Sequence, residues 1–265
     1  MSAVSAAHPR QLRHQAQRLE ILKAAADAIA EHGFHGMTMR GLARATARGL
    51  ATFYDYFSSK EDLLFSLQTE AFETMTSSVS AALEGVDDQA ERLYVFVLNH
   101  LRYSAEHRSV MRVLVHEASA LPAGRRKTVR LLKEGYFNIC RDIVSSILAA
   151  GCNSPGAGGV GKLDSAEVER LTYSVFGMLN WTYGWYDPRH HGSPQDVART
   201  IHTLAVCGLV ARCPQRFAED RSQRHADAIM PLPLLGNPGR SEAVSRKRLA
   251  PPEKNISRGN LRKTS

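Results

Sequence analysis

Four cysteines, two tryptophans and an aromatic content of only 7% are the scarce features of this 265-residue chain. Cys140, Cys152, Cys207 and Cys213 show neither a paired spacing nor a zinc-ligand spacing, which argues against a disulfide framework and a zinc module. Cys140 and Cys207 instead stand inside helical patterns as small apolar residues, so a reduced, cytoplasmic protein is expected. The longest uncharged stretch, residues 143–161, is broken by Asn153, Pro155 and five glycines, which excludes a membrane-spanning helix there. No apolar core of the kind a signal peptide needs stands at the N-terminus. A nucleophile elbow, a phosphate-binding glycine loop with lysine and a metalloprotease helix are all missing, so no catalytic residue and no cofactor are expected. His190 and His191 follow Pro188 in a turn without ligand-spaced partners, and no metal site is expected.

What is present is positive charge, unevenly placed. The formal net charge is +8, yet residues 1–60 carry 8 basic and 4 acidic side chains, residues 61–213 carry 15 and 17, and residues 214–265 carry 11 and 5. The basic surplus therefore lies at the two ends, as expected if the first segment meets phosphates and the body meets something else. Hydrophobic residues make up 43%, ordinary for a globular protein with a core.

Periodicity then gives the first motif. Met39, Leu42 and Ala43 form one apolar stripe, and Leu50, Phe53 and Phe57 repeat it after a short turn, which predicts two short helices joined at a tight angle. Helices this short need a longer neighbour, and Leu19, Leu22, Ala26, Ile29 and Phe34 supply an apolar stripe just upstream. Ser59 followed by Glu61 and Asp62 starts a further capped helix. Together these make a helix-turn-helix, and the second short helix is the one that would enter a DNA groove.

The order Ile21–Gly33, Thr38, Leu42-Ala43, Phe53-Tyr54-x-Tyr56-Phe57 and Ser59-Lys60-Glu61-x-Leu63 resembles the N-terminal domain of TetR-type transcriptional regulators. The resemblance implies an all-α fold: a three-helix DNA-binding head, then a larger helical bundle that binds a small ligand and forms a homodimer. Expected DNA contacts are Thr38, Arg40, Leu50, Thr52, Tyr54, Tyr56 and Lys60. Thr52 and Leu50 would face base edges, Arg40 a base or phosphate, the two tyrosine hydroxyls and Lys60 phosphates, and Thr38 would cap the first short helix. For Tyr54 the competing reading is core packing, and for Tyr56 the two readings stand level. Two positions depart from the family pattern: Ala47 stands where relatives have glycine in the turn, and Gly49 where they have a hydroxyl cap. Asp55 must point away from a polyanion or accept from a cytosine amino group.

The remaining sequence divides at turn and cap signals. Residues 1–13 read as an arm, 14–60 as the head, 61–213 as the helical body and 214–265, with six of the eleven prolines, as a disordered basic tail. Within the body, helices are expected from Ser59 to about Leu83, around Leu93–Ser104, over Val110–Ala118, along Val129–Ile147, from Asp164 through Trp181, and from Ser193-Pro194 onward.

The segment Phe176–Pro188 with Ser193-Pro194 resembles the C-terminal domain of TetR-type regulators that respond to acyl-coenzyme A thioesters. Gly177, Trp181 and Trp185 are spaced to share a helical face, which would line a ligand pocket or anchor a dimer interface. Tyr136 and His116 are further pocket candidates, and Arg125, Arg126 and Lys127 are candidates for coenzyme phosphates by charge alone. The expectation is thus a homodimeric repressor that binds a double-stranded operator and is released by a small-molecule inducer. An unrelated aromatic or drug-like inducer stays open, as does a thioester-processing enzyme, for which no acid–base pair is apparent.

Overall fold

The computed structural model describes residues 9–152 and 164–210. The predicted basic tail, the glycine-rich stretch and most of the predicted arm lie outside the described residues. Eleven helices and no strand are found among the described residues: α1 (Pro9–Gly36), α2 (Met39–Ala45), α3 (Leu50–Tyr56), α4 (Lys60–Ala82), α5 (Gln89–Glu106), α6 (Arg108–His116), α7 (Ala123–Cys152), α8 (Ser165–Asn180), α9 (Thr182–Trp185), α10 (Pro188–His191) and α11 (Pro194–Val210). The all-α expectation holds, and α1 begins at Pro9, several residues inside the expected arm.

In the head, α2 and α3 are held between α1 and the start of α4. Ile21, Leu22, Ala25, Ala26, Ile29 and Phe34 close over Leu42, Phe53, Phe57, Leu63 and Leu64, all buried. Burying such side chains is worth roughly 1.5–3 kcal/mol each, which two seven-residue helices need to exist at all. Leu19, expected on this stripe, is 59% exposed, because the buried face of α1 runs through Ile21 and Leu22 instead. Caps fall where the sequence placed them: the hydroxyls of Thr38 and Ser59 accept from the N–H groups of Gly41 and Asp62, each at 3.0 Å. The Asp62 carboxylate in turn accepts from the Ser58 N–H at 2.9 Å, closing the start of α4 from both sides.

α4 runs from the head into the body, where Leu67, Phe72, Met75 and Val79 pack inward. There α4, α5, α7, α8 and α11 form a bundle, with α6 lying between it and α1. Asp88 and Asp164 cap α5 and α8 by accepting from Glu91 N–H and Ala166 N–H. One expected element breaks: the helix from Asp164 does not pass Trp181, because α8 ends at Asn180 and α9 starts at Thr182. The buried Thr182 hydroxyl donates to the Leu179 carbonyl at 2.7 Å and meets Ser104 of α5 at 3.2 Å. A hydroxyl that captures a carbonyl three residues back offers the chain an alternative to continued helix.

Candidate functional site

Two regions carry functional side chains: the exposed side of α2 and α3, and a cavity inside the body. On the first, Thr38, Arg40 and Tyr54 are exposed, while Leu50 and Thr52 are half-buried at the start of α3. Arg44 is exposed on the last turn of α2 and belongs to the same basic edge, a residue the sequence reading passed over. Asp55 is exposed as well. Tyr56 is half-buried, and its hydroxyl donates to Gln17 of α1 at 2.9 Å, with the His14 ring at 4.4 Å. Lys60 donates to the Phe34 carbonyl at 3.3 Å and sits 4.5 Å over the Phe34 ring, so its ammonium closes the end of α1. Tyr56 thus ties α1 to α3 and Lys60 ties α1 to the start of α4, roles that sequence spacing does not reveal.

The turn between α2 and α3 is a Schellman arrangement: Arg48 N–H donates to Ala43 O at 3.0 Å and Ala47 N–H to Arg44 O at 3.2 Å. This geometry needs a left-handed residue, and Ala47 supplies it at φ 52°. The departure from glycine therefore leaves the turn intact at the cost of local strain.

The cavity, about 330 Å³, is walled by five helices: Phe72 and Met75 of α4, His100 of α5, Met111, Leu114 and Val115 of α6, Lys133, Tyr136 and Phe137 of α7, and Tyr173, Phe176, Gly177 and Asn180 of α8. Its volume and largely apolar lining suit a small organic ligand. Phe176 stacks on Phe137 with ring centres 5.4 Å apart and meets Tyr136 edge-on at 6.0 Å, so aromatic faces form one wall. Burial lowers the His100 pKa to about 4, leaving a neutral imidazole, and pushes the Tyr136 hydroxyl well above its ordinary range. His100 Nδ1 lies 3.3 Å from the Tyr136 hydroxyl, while Nε2 is buried without a partner.

Of the expected pocket residues, Tyr136 and Gly177 line this cavity, whereas Trp181 and Trp185 do not. Those two line a separate, more open hollow of about 480 Å³ with Gly177, Val197, Ile201 and Leu204. The break at Trp181 does not separate them, and the hollow they share lies at the surface: Trp181 is 62%, Trp185 40% and Leu204 61% exposed. His116 is bonded to the Tyr183 hydroxyl and lies against the α1–α6 junction rather than the cavity. Arg125 is also committed elsewhere, paired with Asp62 at 2.9 Å and lying over Phe65. His100, Phe72, Met75, Met111, Leu114, Lys133, Phe137 and Phe176 were missed by sequence reasoning. Only His100 carried a local signal, a polar residue on the apolar face made by Leu93, Phe96, Val97 and Leu101.

A shallower hollow of about 280 Å³ adjoins the cavity and shares Phe72, Leu114 and Lys133 with its wall. Arg126 and Arg130 of α7, Gln68 of α4 and Ser119 complete its polar lining. Among the described residues no cluster of histidine, cysteine or carboxylate side chains could hold a metal ion, and no helix is long and apolar enough to cross a membrane.

Comparison with known proteins gives two adjoining family matches. Residues 21–67 match "Bacterial regulatory proteins, tetR family", and residues 86–209 match "Tetracyclin repressor-like, C-terminal domain". The fatty acid metabolism regulator protein of Bacillus subtilis is 25% identical over 133 residues, covering 50% of this chain and 69% of the relative. The HTH-type transcriptional repressor AcnR of Corynebacterium efficiens is 29% identical over 175 residues, covering 58% of this chain and 93% of the relative. Among solved structures, AibR in complex with isovaleryl coenzyme A and operator DNA shares the fold, with a TM-score of 0.59 at 20% identity, over 71% of this chain and 96% of that one.

Proposed function

Because the chain belongs to the TetR family and is a DNA-binding transcription regulator, we propose that it acts as a homodimeric repressor which leaves its operator when a coenzyme A thioester occupies the five-helix cavity. The observation that carries the release mechanism is the double contact of α6. Met111, Leu114 and Val115 of this helix wall the cavity. One residue past its end, the Glu117 carboxylate accepts from the Phe34 N–H of α1 at 3.0 Å, and the Glu117 carbonyl accepts from Gln68 of α4 at 3.2 Å. A ligand that favours a displaced α6 therefore favours a displaced head, and the population shifts in proportion to its differential affinity for the two arrangements.

Dimerisation is supported by the exposed apolar side chains Trp181, Trp185 and Leu204, which line one open hollow formed by the end of α8, α9 and α11. A contiguous patch of large apolar side chains is costly to leave in water, and a second copy would cover it symmetrically. The dimer would present two α3 helices to successive major grooves, with Thr38, Arg40, Arg44, Leu50, Thr52 and Tyr54 facing the duplex.

The effector class draws support from the relative named a fatty acid metabolism regulator and from the isovaleryl coenzyme A held by AibR. The aromatic, aliphatic cavity suits an acyl group and needs no chemistry on it. A mobility-shift assay on the operator, repeated with coenzyme A thioesters from acetyl to palmitoyl, tests the reading. Release by at least one thioester, and not by free coenzyme A, is the expected result; retention of DNA through the whole series refutes it.

A further inference from the structure

Two buried polar atoms beside the cavity lack partners, and together they define the polarity of the effector. His100 and Gln68 are each 1% exposed, and His100 Nε2 and Gln68 Oε1 have no hydrogen-bond partner. Such orphans are rare because each costs the full desolvation of the group; of the three among the described residues, His100 Nε2 belongs to the cavity wall, Gln68 Oε1 to the wall of the adjoining hollow, and Thr69 Oγ1 to neither, so the first two point to a ligand spanning both spaces.

Which group each atom needs follows from its neighbour. If His100 Nδ1 carried the proton and donated to Tyr136, both the Tyr136 hydroxyl hydrogen and Nε2 would go unpaired. If Tyr136 donates to Nδ1, the only unmet group is an Nε2–H, and this arrangement costs less. His100 therefore holds a neutral N–H donor within the wall of a largely apolar chamber, which suits a carbonyl oxygen. Gln68 is fixed by its other end: only its NH₂ group can donate to the Glu117 carbonyl, which leaves Oε1 as an acceptor. It lines the adjoining hollow, whose other polar residues are Ser119 and the cations Arg126, Arg130 and Lys133. The three cations stand at i, i+4 and i+7 on one face of α7, and Glu134 offsets Arg130 alone, at 3.4 Å.

We propose that the site is bipartite: His100 hydrogen-bonds the thioester carbonyl of the effector inside the cavity, while Gln68, Arg126, Arg130 and Lys133 hold the amide and phosphate portion in the adjoining hollow. The assignment rests on the coenzyme A reading given above and adds to it which residues select which part of the molecule.

The test is calorimetric, on the full-length protein, with the thioester that releases DNA best as the probe. Replacing its thioester by a thioether, which lacks only the carbonyl oxygen, should weaken binding to the wild type about tenfold or more. The same comparison on His100→Leu should show a ratio near one. Cutting the probe back to an acyl-pantetheine should weaken binding and abolish its salt dependence. Arg126→Ala and Arg130→Ala, at positions that line the adjoining hollow alone, should weaken the coenzyme A probe and leave acyl-pantetheine unaffected. Equal affinity of thioester and thioether for the wild type overturns the role of His100 without needing any variant to fold. Unchanged coenzyme A affinity in both cation variants overturns the second half. If the wild type binds a thioester yet fails these comparisons, this proposal falls and the effector class stands; if no thioester binds at all, both fall.

Discussion

Replacing Ala47 by glycine should stabilise the protein, against the usual direction of alanine-to-glycine changes. Ala47 holds the left-handed position of the turn after α2 at φ 52°, the only positive φ at a non-glycine among the described residues. An L-residue there is strained by roughly 1–2 kcal/mol through the approach of Cβ to the following carbonyl. Glycine removes that strain but frees the unfolded chain, which costs about 0.4–1 kcal/mol. Ala47 is exposed, so no buried methyl is lost and both turn hydrogen bonds are kept. The balance is a gain of about 0.5–1 kcal/mol, or on the order of 1–4 °C in Tm for a body of this size. Differential scanning calorimetry at fixed protein concentration would measure it, with Ala45→Gly as the control. Ala45 is also exposed but is the last residue of α2 and has no positive φ, so glycine there relieves no strain and should lower stability by up to about 0.5–1 kcal/mol. Loss of stability in both variants would refute the argument that strain is stored at residue 47.

Three further outcomes follow from the body. His100 has its pKa lowered to about 4 by burial, so the unfolded chain binds more protons than the folded one between that value and the ordinary 6.5. Stability should therefore decline as pH falls through this window, by about 3 kcal/mol for this group, and urea titrations should show a shallower decline in His100→Leu. Leu204→Glu places a charge on the exposed apolar face of α11; sedimentation equilibrium should show a monomer with unchanged helicity and much weaker operator binding, while a persistent dimer would move the interface elsewhere. Glu117→Ala removes the carboxylate that accepts from Phe34 N–H; effector should still bind, but its effect on operator affinity should shrink several-fold in a linkage titration, and an unaltered linkage would exclude this contact as the connection.

The reading unit was legible in the sequence because its determinants are local. Thr38 and Ser59 cap helices by reaching three residues ahead, and Met39, Leu42, Phe53 and Phe57 share a face by helical spacing alone. Tertiary packing reassigned several side chains that spacing had left free. Lys60 and Tyr56, expected at phosphates, also tie their elements to α1, and Arg125 is the partner of Asp62, 63 residues away. Trp181 and Trp185 kept each other's company, but in a surface hollow apart from the cavity that Gly177 also lines.

The cavity lay beyond sequence reasoning for a physical reason. It is a volume left between five helices, and no periodicity within one helix says which residues of another will stand opposite. His100 meets Tyr136 across 36 residues, and Phe34 meets Glu117 across 83. The sequence by itself determined the helices, their caps and the DNA-reading head, since those depend on residues within about one turn of each other. Only the tertiary structure decided where a ligand can sit and how its presence reaches the head, since those depend on which buried polar atoms the packing satisfies and which it leaves waiting.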